Sequence, residues 1–335
     1  MPFMFMASFS DGRRRWFARA CTAIVTVLAA ATALPALAQG KPELLRIGYQ
    51  KAASLFVLQK SLGTLEKKLA PLGVQVKWVE FPAGPQLLEG LNVGSIDVGY
   101  VGEAPPIFAQ AAGAQFVYIG HDPASPQAEA LVVPKDSPIK SVADLKGRKV
   151  ALNKGSNVHY LLVRLLEKHG LKYADVQPVF LPPADARAAF ERGAVDAWAI
   201  WDPFLAAAEK QIGARVLADG RGVVNNYLYY LGERSYAEKY PQVIKALFDD
   251  LREQGRWLGA NPRAAAEKIA PLQGLDVAVV EQSLRHYPVD VVPVTPAIAA
   301  EQQKIADAFH DLKLIPKPIR IVDALPGAAK TAQAK

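Results

Sequence analysis

Cysteine is almost absent. The chain holds one, Cys21, inside an apolar N-terminal stretch. The rest of the sequence therefore has no disulfide, no thiolate metal site and no cysteine nucleophile. Histidine is scarce and dispersed, with five residues in 335. None stands with a carboxylate and a nucleophile at triad spacing, and no metal-ligand cluster is present. His159, three residues into an expected helix, is the best-placed of them for catalysis; His121 and His169 are weaker. Beyond the N-terminus no stretch is long and apolar enough to span a bilayer. Basic residues are mixed with acids, as in Glu66-Lys67-Lys68, and no basic–aromatic stripe occurs. That argues against nucleic acid as a partner.

The N-terminus is built differently. Arg13, Arg14, Arg15 and Arg19 precede an apolar run from Ala20 to Leu34, followed by Pro35 and Ala36-Leu37-Ala38. A basic region, a short apolar region and a small-x-small site form a secretory signal peptide, expected over residues 1–38 with cleavage after Ala38. Arg14-Arg15 leaves the export route open between the general and twin-arginine pathways. Losing four Arg and one Asp lowers the formal charge from +7 to +4.

The rest of the chain repeats itself. Arg46-Ile47-Gly48-Tyr49-Gln50-Lys51-Ala52 echoes Lys149-Val150-Ala151-Leu152-Asn153-Lys154-Gly155. Each is a short apolar strand, then an amide, a lysine and a small residue, running into a helix (Leu55 to Leu69; Val158 to Lys168). Next, Val74 to Val79 alternates as a half-buried strand and meets Pro82-Ala83-Gly84-Pro85. Its counterpart, Gln177 to Leu181, meets Pro182-Pro183-Ala184-Asp185. Finally, Gly94-Ser95-Ile96-Asp97-Val98 parallels Gly193-Ala194-Val195-Asp196-Ala197, with Glu103 and Asp202 matching just beyond.

Three echoes in one order predict two β-α-β-α-β units with parallel strands and covering helices. The fold class is α/β with two lobes, each a mostly parallel sheet flanked by helices. Lobe 1 is expected over 43–131, lobe 2 over 132–225, and a return to lobe 1 over 226–320. A flexible tail is expected at 321–335. The crossings are placed near Ala130 to Pro134 and near Asn225 to Leu231, with Val223 to Leu231 as the returning strand. The segment after Pro241 reads as four helices.

Ligands of open parallel sheets bind beyond the carboxyl ends of the strands. The echo puts Gln50, Lys51, Ala52, Gly84, Pro85, Gly102 and Glu103 there from one lobe. Asn153 to Asn157, Trp201 and Asp202 come from the other. Gly84-Pro85-Gln86 and Gly155-Ser156-Asn157 each open a helix, where free N–H groups and the helix dipole attract an anion. Ser156 has two readings, a helix cap or a hydroxyl for a ligand oxygen. Gln50 and Asn153 either serve strand-end turns or meet the ligand. Glu103 and Asp202 either bond neighbouring elements or receive a ligand amine. Lys51 and Lys154 are expected to reach solvent. Trp198 is expected in the core, with Trp201 and Tyr227 available to an apolar tail.

Several runs carry a family resemblance: Arg46 to Lys51, Glu80 to Gln86, Leu91 to Asp97, Pro105 to Gly113, Ala143 to Gly147 and Val195 to Pro203. Together they closely resemble the aliphatic sulfonate-binding proteins of ABC importers, over roughly Glu43 to Lys317. The resemblance implies a type II periplasmic-binding-protein fold, an alkanesulfonate ligand and a permease–ATPase partner in sulfur acquisition. It implies ligand contacts at Gln50, Gly84, Gly102, Glu103, Gly155, Ser156, Asn157 and Trp201. A periplasmic, monomeric protein without cofactor or metal is the expectation. The rivals are a binding protein for taurine, nitrate or an aromatic sulfonate or carboxylate, and an enzyme on the same fold.

Overall fold

The computed structural model describes residues 44–288 and 290–328. The expected signal peptide and its cleavage site lie outside the described residues.

The chain begins in lobe 1. Strand β1 (Leu44–Tyr49) leads to helices α1 (Ser54–Leu62) and α2 (Thr64–Leu69). The sequence reads as one helix here. It divides at Gly63, whose φ of 59° is left-handed and ends α1. Next come β2 (Gln75–Glu80), α3 (Gly84–Asn92), β3 (Val98–Gly102), α4 (Ala104–Ala111) and β4 (Phe116–Asp122). The chain then crosses to lobe 2, formed by β5 (Glu129–Val133), β6 (Lys149–Leu152), α5 (Asn157–Lys168), β7 (Gln177–Phe180), α6 (Pro183–Glu191), β8 (Ala197–Trp201), α7 (Phe204–Ile212) and β9 (Arg215–Asp219). It returns through β10 (Leu228–Glu233), then α8 (Arg234–Lys239), α9 (Pro241–Ala260), α10 (Pro262–Gln273), α11 (Val277–Leu284) and α12 (Pro296–Asp311).

The two five-stranded sheets share one topology: β2-β1-β3-β10-β4 and β7-β6-β8-β5-β9. In each, one strand runs against the rest, β10 in the first and β5 in the second. Those are the strands that enter directly from the other lobe. The expected crossings shift accordingly. Ala130 to Val133 lies within β5, so the first crossing is the segment before it, 123–128. The second is 220–227, and the returning strand starts at Leu228. The sequence obscured this because β5 is buried along its whole length. A strand covered on both faces shows no alternation to mark its ends. The lobe boundary expected between 131 and 132 therefore falls inside a strand.

The echo has a structural cause. In lobe 1 the Arg46 N–H donates to Asp97 Oδ2 at 2.8 Å, and Asp97 N–H returns to the Arg46 carbonyl at 2.8 Å. In lobe 2 the Lys149 N–H donates to Asp196 Oδ2 at 2.8 Å, and Asp196 N–H returns to Lys149 at 2.9 Å. An aspartate before the third strand thus pins the start of the first strand in both lobes. The run from Ala143 to Gly147 is likewise structural: Asp144 accepts from the N–H groups of Lys140 and Ser141.

The sheet of lobe 1 has a core on each face. On one, Phe56 and Leu58 pack with Leu247 of α9 and Ile269 of α10. On the other, Leu87 and Ile107 pack with Ile305 and Phe309 of α12. Lobe 2 has one continuous core containing Leu131, Val150, Leu162 and Trp198. The expected tail begins too early at 321: Ile321 and Ala324 are buried in the lobe 1 core. The residues after 328 lie outside the described residues.

Candidate functional site

The carboxyl ends of both sheets meet at one pocket between the lobes. Lobe 1 supplies Gln50 and Ala52 after β1, Gly84 at the start of α3, Tyr100 and Gly102 from β3, and Pro105 from α4. Lobe 2 supplies Ser156 and Asn157 at the start of α5, and Trp201 from the end of β8. Asn226, Leu228 and Tyr287 close the remaining side. The free space among these residues is about 30 Å³, room for a water or two. Any organic ligand therefore enters with the lobes parted.

The helix starts at this pocket are not equivalent. The opening of α4 is taken: Asn157 Oδ1 accepts from Ala104 N–H at 3.1 Å, and the next two residues are prolines without an N–H. The opening of α7 is taken by its own lobe, with Asp202 Oδ1 accepting from Ala206 N–H at 3.0 Å. The openings of α3 and α5 have no side-chain cap. In their first turns, Gly84 and Gln86 of α3 and Asn157 and Val158 of α5 carry N–H groups without intrahelical partners, while Pro85 has no N–H and His159 N–H donates to the Ser156 carbonyl at 3.0 Å. Both line the same pocket, one from each lobe. Ser156 occupies the cap position of α5 without capping it; its hydroxyl donates to the Asn153 carbonyl at 2.7 Å.

Asn157 ties the lobes together. Beyond its bond to Ala104, its Nδ2 donates to Asn226 Oδ1 at 2.5 Å on the returning crossing. The close approach depends on Gly102. A Cβ there would lie 2.0 Å from Asn157 Oδ1. Tyr287 adds another tie, donating to the Asp202 carbonyl at 3.1 Å.

No side chain lining the pocket is charged. Behind it stand four buried carboxyl groups: Glu103, Asp122, Glu129 and Asp202. Burial pushes Glu103 up to about 8, against the lowering effect of the Tyr227 and Asn226 N–H groups. Burial also pushes Asp122 up to about 7, although the Tyr100 hydroxyl donates to it at 2.5 Å. Glu129, with neither oxygen bonded, is driven well above the usual carboxylate range by burial and by Glu103. Asp202 is raised by burial despite its 2.6 Å contact with His286 Nδ1. With Glu103 near 8, that group is largely protonated at neutral pH, which lessens the repulsion it would otherwise impose on an anion.

The ten expected contact residues divide three ways. Gln50, Gly84, Gly102, Ser156, Asn157 and Trp201 share the pocket. Pro85 and Gly155 line an adjoining groove. Glu103 and Tyr227 line a polar recess at the crossing segments, where Glu103 Oε2 accepts from Tyr227 N–H at 2.8 Å. The matched pair Glu103 and Asp202 thus serve different ends, one holding a crossing and the other capping a helix. Lys51 departs from its expected solvent position, donating to the Gln273 carbonyl at 2.5 Å. Trp198 is in the core.

Sequence reasoning missed Tyr100, Pro105, Asn226, Leu228 and Tyr287 as pocket residues. Tyr100 and Pro105 flank Gly102 and could have been reached from it. Asn225-Asn226 at a crossing was a signal; Tyr287 sits in the helical tail outside both repeats and carried none. His159 is fully buried, 2.8 Å from the Tyr173 hydroxyl, and lowered to about 4 by burial. It does not line the pocket.

Two matching α/β lobes around a neutral pocket at their facing strand ends define a two-lobed solute-binding protein of the type II periplasmic class. The chain belongs to the NMT1-like family, whose profile matches residues 38–273. It is 49% identical over 285 residues to a protein of Escherichia coli (strain K12) named for aliphatic sulfonates binding, covering 85% of this chain and 89% of that one. It superimposes with a TM-score of 0.81, at 44% identity, on the alkanesulfonate-binding protein SsuA from Xanthomonas axonopodis pv. citri bound to MOPS, covering 85% of this chain and 99% of that one. The periplasmic aliphatic sulphonate binding protein SsuA from Escherichia coli gives a TM-score of 0.78 at 48% identity, with 85% and 97% covered. The desulfurization enzyme DSZB shares only the fold, at 18% identity and a TM-score of 0.62. The most similar of these relatives are binding proteins, not enzymes.

Proposed function

We propose that this chain is an exported receptor that captures aliphatic sulfonates and delivers them, as a monomer, to the permease and ATPase of an ABC importer. The observation that carries the reading is the pair of uncapped helix starts, α3 and α5, brought from opposite lobes to one pocket without charged side chains. A sulfonate stays ionised at any physiological pH and spreads one charge over three oxygens. Backbone N–H groups and neutral side chains can hold it without a buried countercharge. Trp201, Pro105, Leu228 and Tyr287 offer an apolar wall to the carbon beside the sulfur. Affinity then follows from closure, because the donors sit on different lobes. The relatives named for aliphatic sulfonates support this ligand class, and relatives described as periplasmic support the location.

A taurine receptor is the nearest rival, and a taurine-binding periplasmic protein of Escherichia coli is 30% identical over 222 residues. The geometry disfavours it. Asp202 is occupied by Ala206 and His286, and Glu103 faces the crossing recess. Taurine's ammonium group would find no carboxylate in the pocket. Isothermal titration with ethanesulfonate, taurine, sulfate and nitrate tests the reading. Ethanesulfonate is expected to bind more tightly than the other three. Failure of ethanesulfonate to bind, or a preference for taurine, overturns it.

A further inference from the structure

A second concavity adjoins the pocket. It is a groove of about 300 Å³ between α3 and α4, closed on its inner side by Lys154 and Gly155 of lobe 2. Its floor is apolar: Leu88, Pro105, Phe108 and Ala109. Glu89 and Lys154 stand among its charged lining residues, and the Lys154 ammonium lies over the Phe180 ring at 5.5 Å. Small side chains create the space, since Ala109, Ala112 and Ala114 line it where larger residues would fill it.

The groove abuts the pocket. Pro105 borders both. Gly84 and Ser156 of the pocket are the chain neighbours of Pro85 and Gly155 of the groove. The two helix starts proposed to hold the anion thus also frame the groove's inner end. There the lobes touch: a Cβ on Gly155 would lie 3.4 Å from the Phe108 ring. A chain leaving the pocket at Pro105 would have to part Phe108 from Gly155, and would then be gripped by both lobes on closure.

We propose, building on the sulfonate reading above, that this groove is a tail-binding subsite that selects sulfonates with extended uncharged apolar tails. The head is held at the openings of α3 and α5 while the tail lies along Leu88, Phe108 and Ala109. Phe108 and Ala109 are then specificity-determining residues, although neither lines the head pocket. The subsite makes affinity grow with tail length, because each methylene entering the groove leaves water.

The test is titration calorimetry of the intact mature protein with methane-, butane-, hexane- and octanesulfonate. Wild-type affinity is expected to rise by up to about fourfold per methylene once the tail reaches the groove. Ala109→Trp fills the floor. It should leave methanesulfonate within about twofold of wild type and lower octanesulfonate affinity at least about tenfold. If circular dichroism shows that Ala109→Trp is misfolded, Ala112→Phe, which narrows the same groove, decides. An affinity flat with chain length in the wild type overturns the tail subsite and leaves the sulfonate reading standing. So does a rise that persists unchanged in the filled variant. Wild-type protein that binds none of the four sulfonates overturns both.

Discussion

Gly102→Ala should cripple ligand binding through the side chain it displaces. The added Cβ would meet Asn157 at 2.0 Å from Oδ1, 2.3 Å from Cγ and 2.5 Å from Nδ2. Those distances cannot be sustained, so the Asn157 amide must swing away. It then gives up its bonds to Ala104 N–H and Asn226 Oδ1. Each lost hydrogen bond costs about 1 kcal/mol, and a buried partner left unpaired raises that to as much as about 3 kcal/mol. Two such losses give about 2–6 kcal/mol, or roughly 30- to 20,000-fold in affinity. The Ala104 bond joins α5 of lobe 2 to α4 of lobe 1, so the loss falls on closure, and closure is what assembles the donors. Titration with ethanesulfonate measures the effect, and a melting curve without ligand checks that the fold survives. The mechanism makes a stricter demand. In an Asn157→Ala background there is no amide to displace, so adding Gly102→Ala should cost little more. Wild-type affinity in Gly102→Ala would refute the reasoning. So would a full second loss in the double variant, since Gly102 would then act by some other route.

Three further outcomes follow from the buried charges. Glu103 titrates near 8 in the fold, above its ordinary value. It therefore costs nothing below the unfolded value, and stability declines as pH rises from about 4.5 towards 8, by up to about 3 kcal/mol at pH 7. Glu103→Gln keeps an acceptor for Tyr227, so its denaturant midpoint should exceed wild type at pH 7.5 and match it at pH 4.5; equal midpoints at both pH values refute this. Sulfonate affinity should fall between pH 6 and 9 as Asp122 and Glu103 ionise behind the pocket, and methanesulfonate titrations that are flat across that range would remove those carboxyls from the electrostatics. The hydrogen bond to Asp202 raises His286, so that pair stabilises the fold most fully below the usual histidine value and loses its contribution as pH rises through the raised one. His286→Gln should therefore lower the melting temperature more at pH 6 than at pH 9, and an equal loss at both would contradict the pairing.

The lobes were legible because their repeat has a mechanical origin. Asp97 and Asp196 each lock the start of a neighbouring strand, so the residues that do this are spelled twice, along with the loops that follow. Five of the six strand-end loops fixed by that repeat delivered residues to the pocket; the exception follows β7, where Pro182 to Asp185 line neither the pocket nor the groove beside it. The crossing strands were not legible. β5 and β10 are buried on both faces and have no period to read, which shifted both crossings by several residues. Tyr287 and Asn226 were missed for a related reason: they reach the pocket from segments that belong to neither copy of the repeat. The division of labour between Glu103 and Asp202 was also hidden. Identical positions in the repeat meet different neighbours, a crossing strand in one case and a helix with its histidine in the other.

The exchange of one strand at each crossing fixes an order of assembly. Residues 129–219 contain every strand of lobe 2, so that half can complete its sheet as soon as Asp219 is free to fold. The half that emerges first must wait. Its β3 and β4 are neighbours of β10 and not of each other, leaving a strand-wide gap that only residues 228–233 can fill. A folding intermediate stalled before Leu228 would carry one finished half and one with two raw inner edges, the state in which a chaperone or a protease would find it.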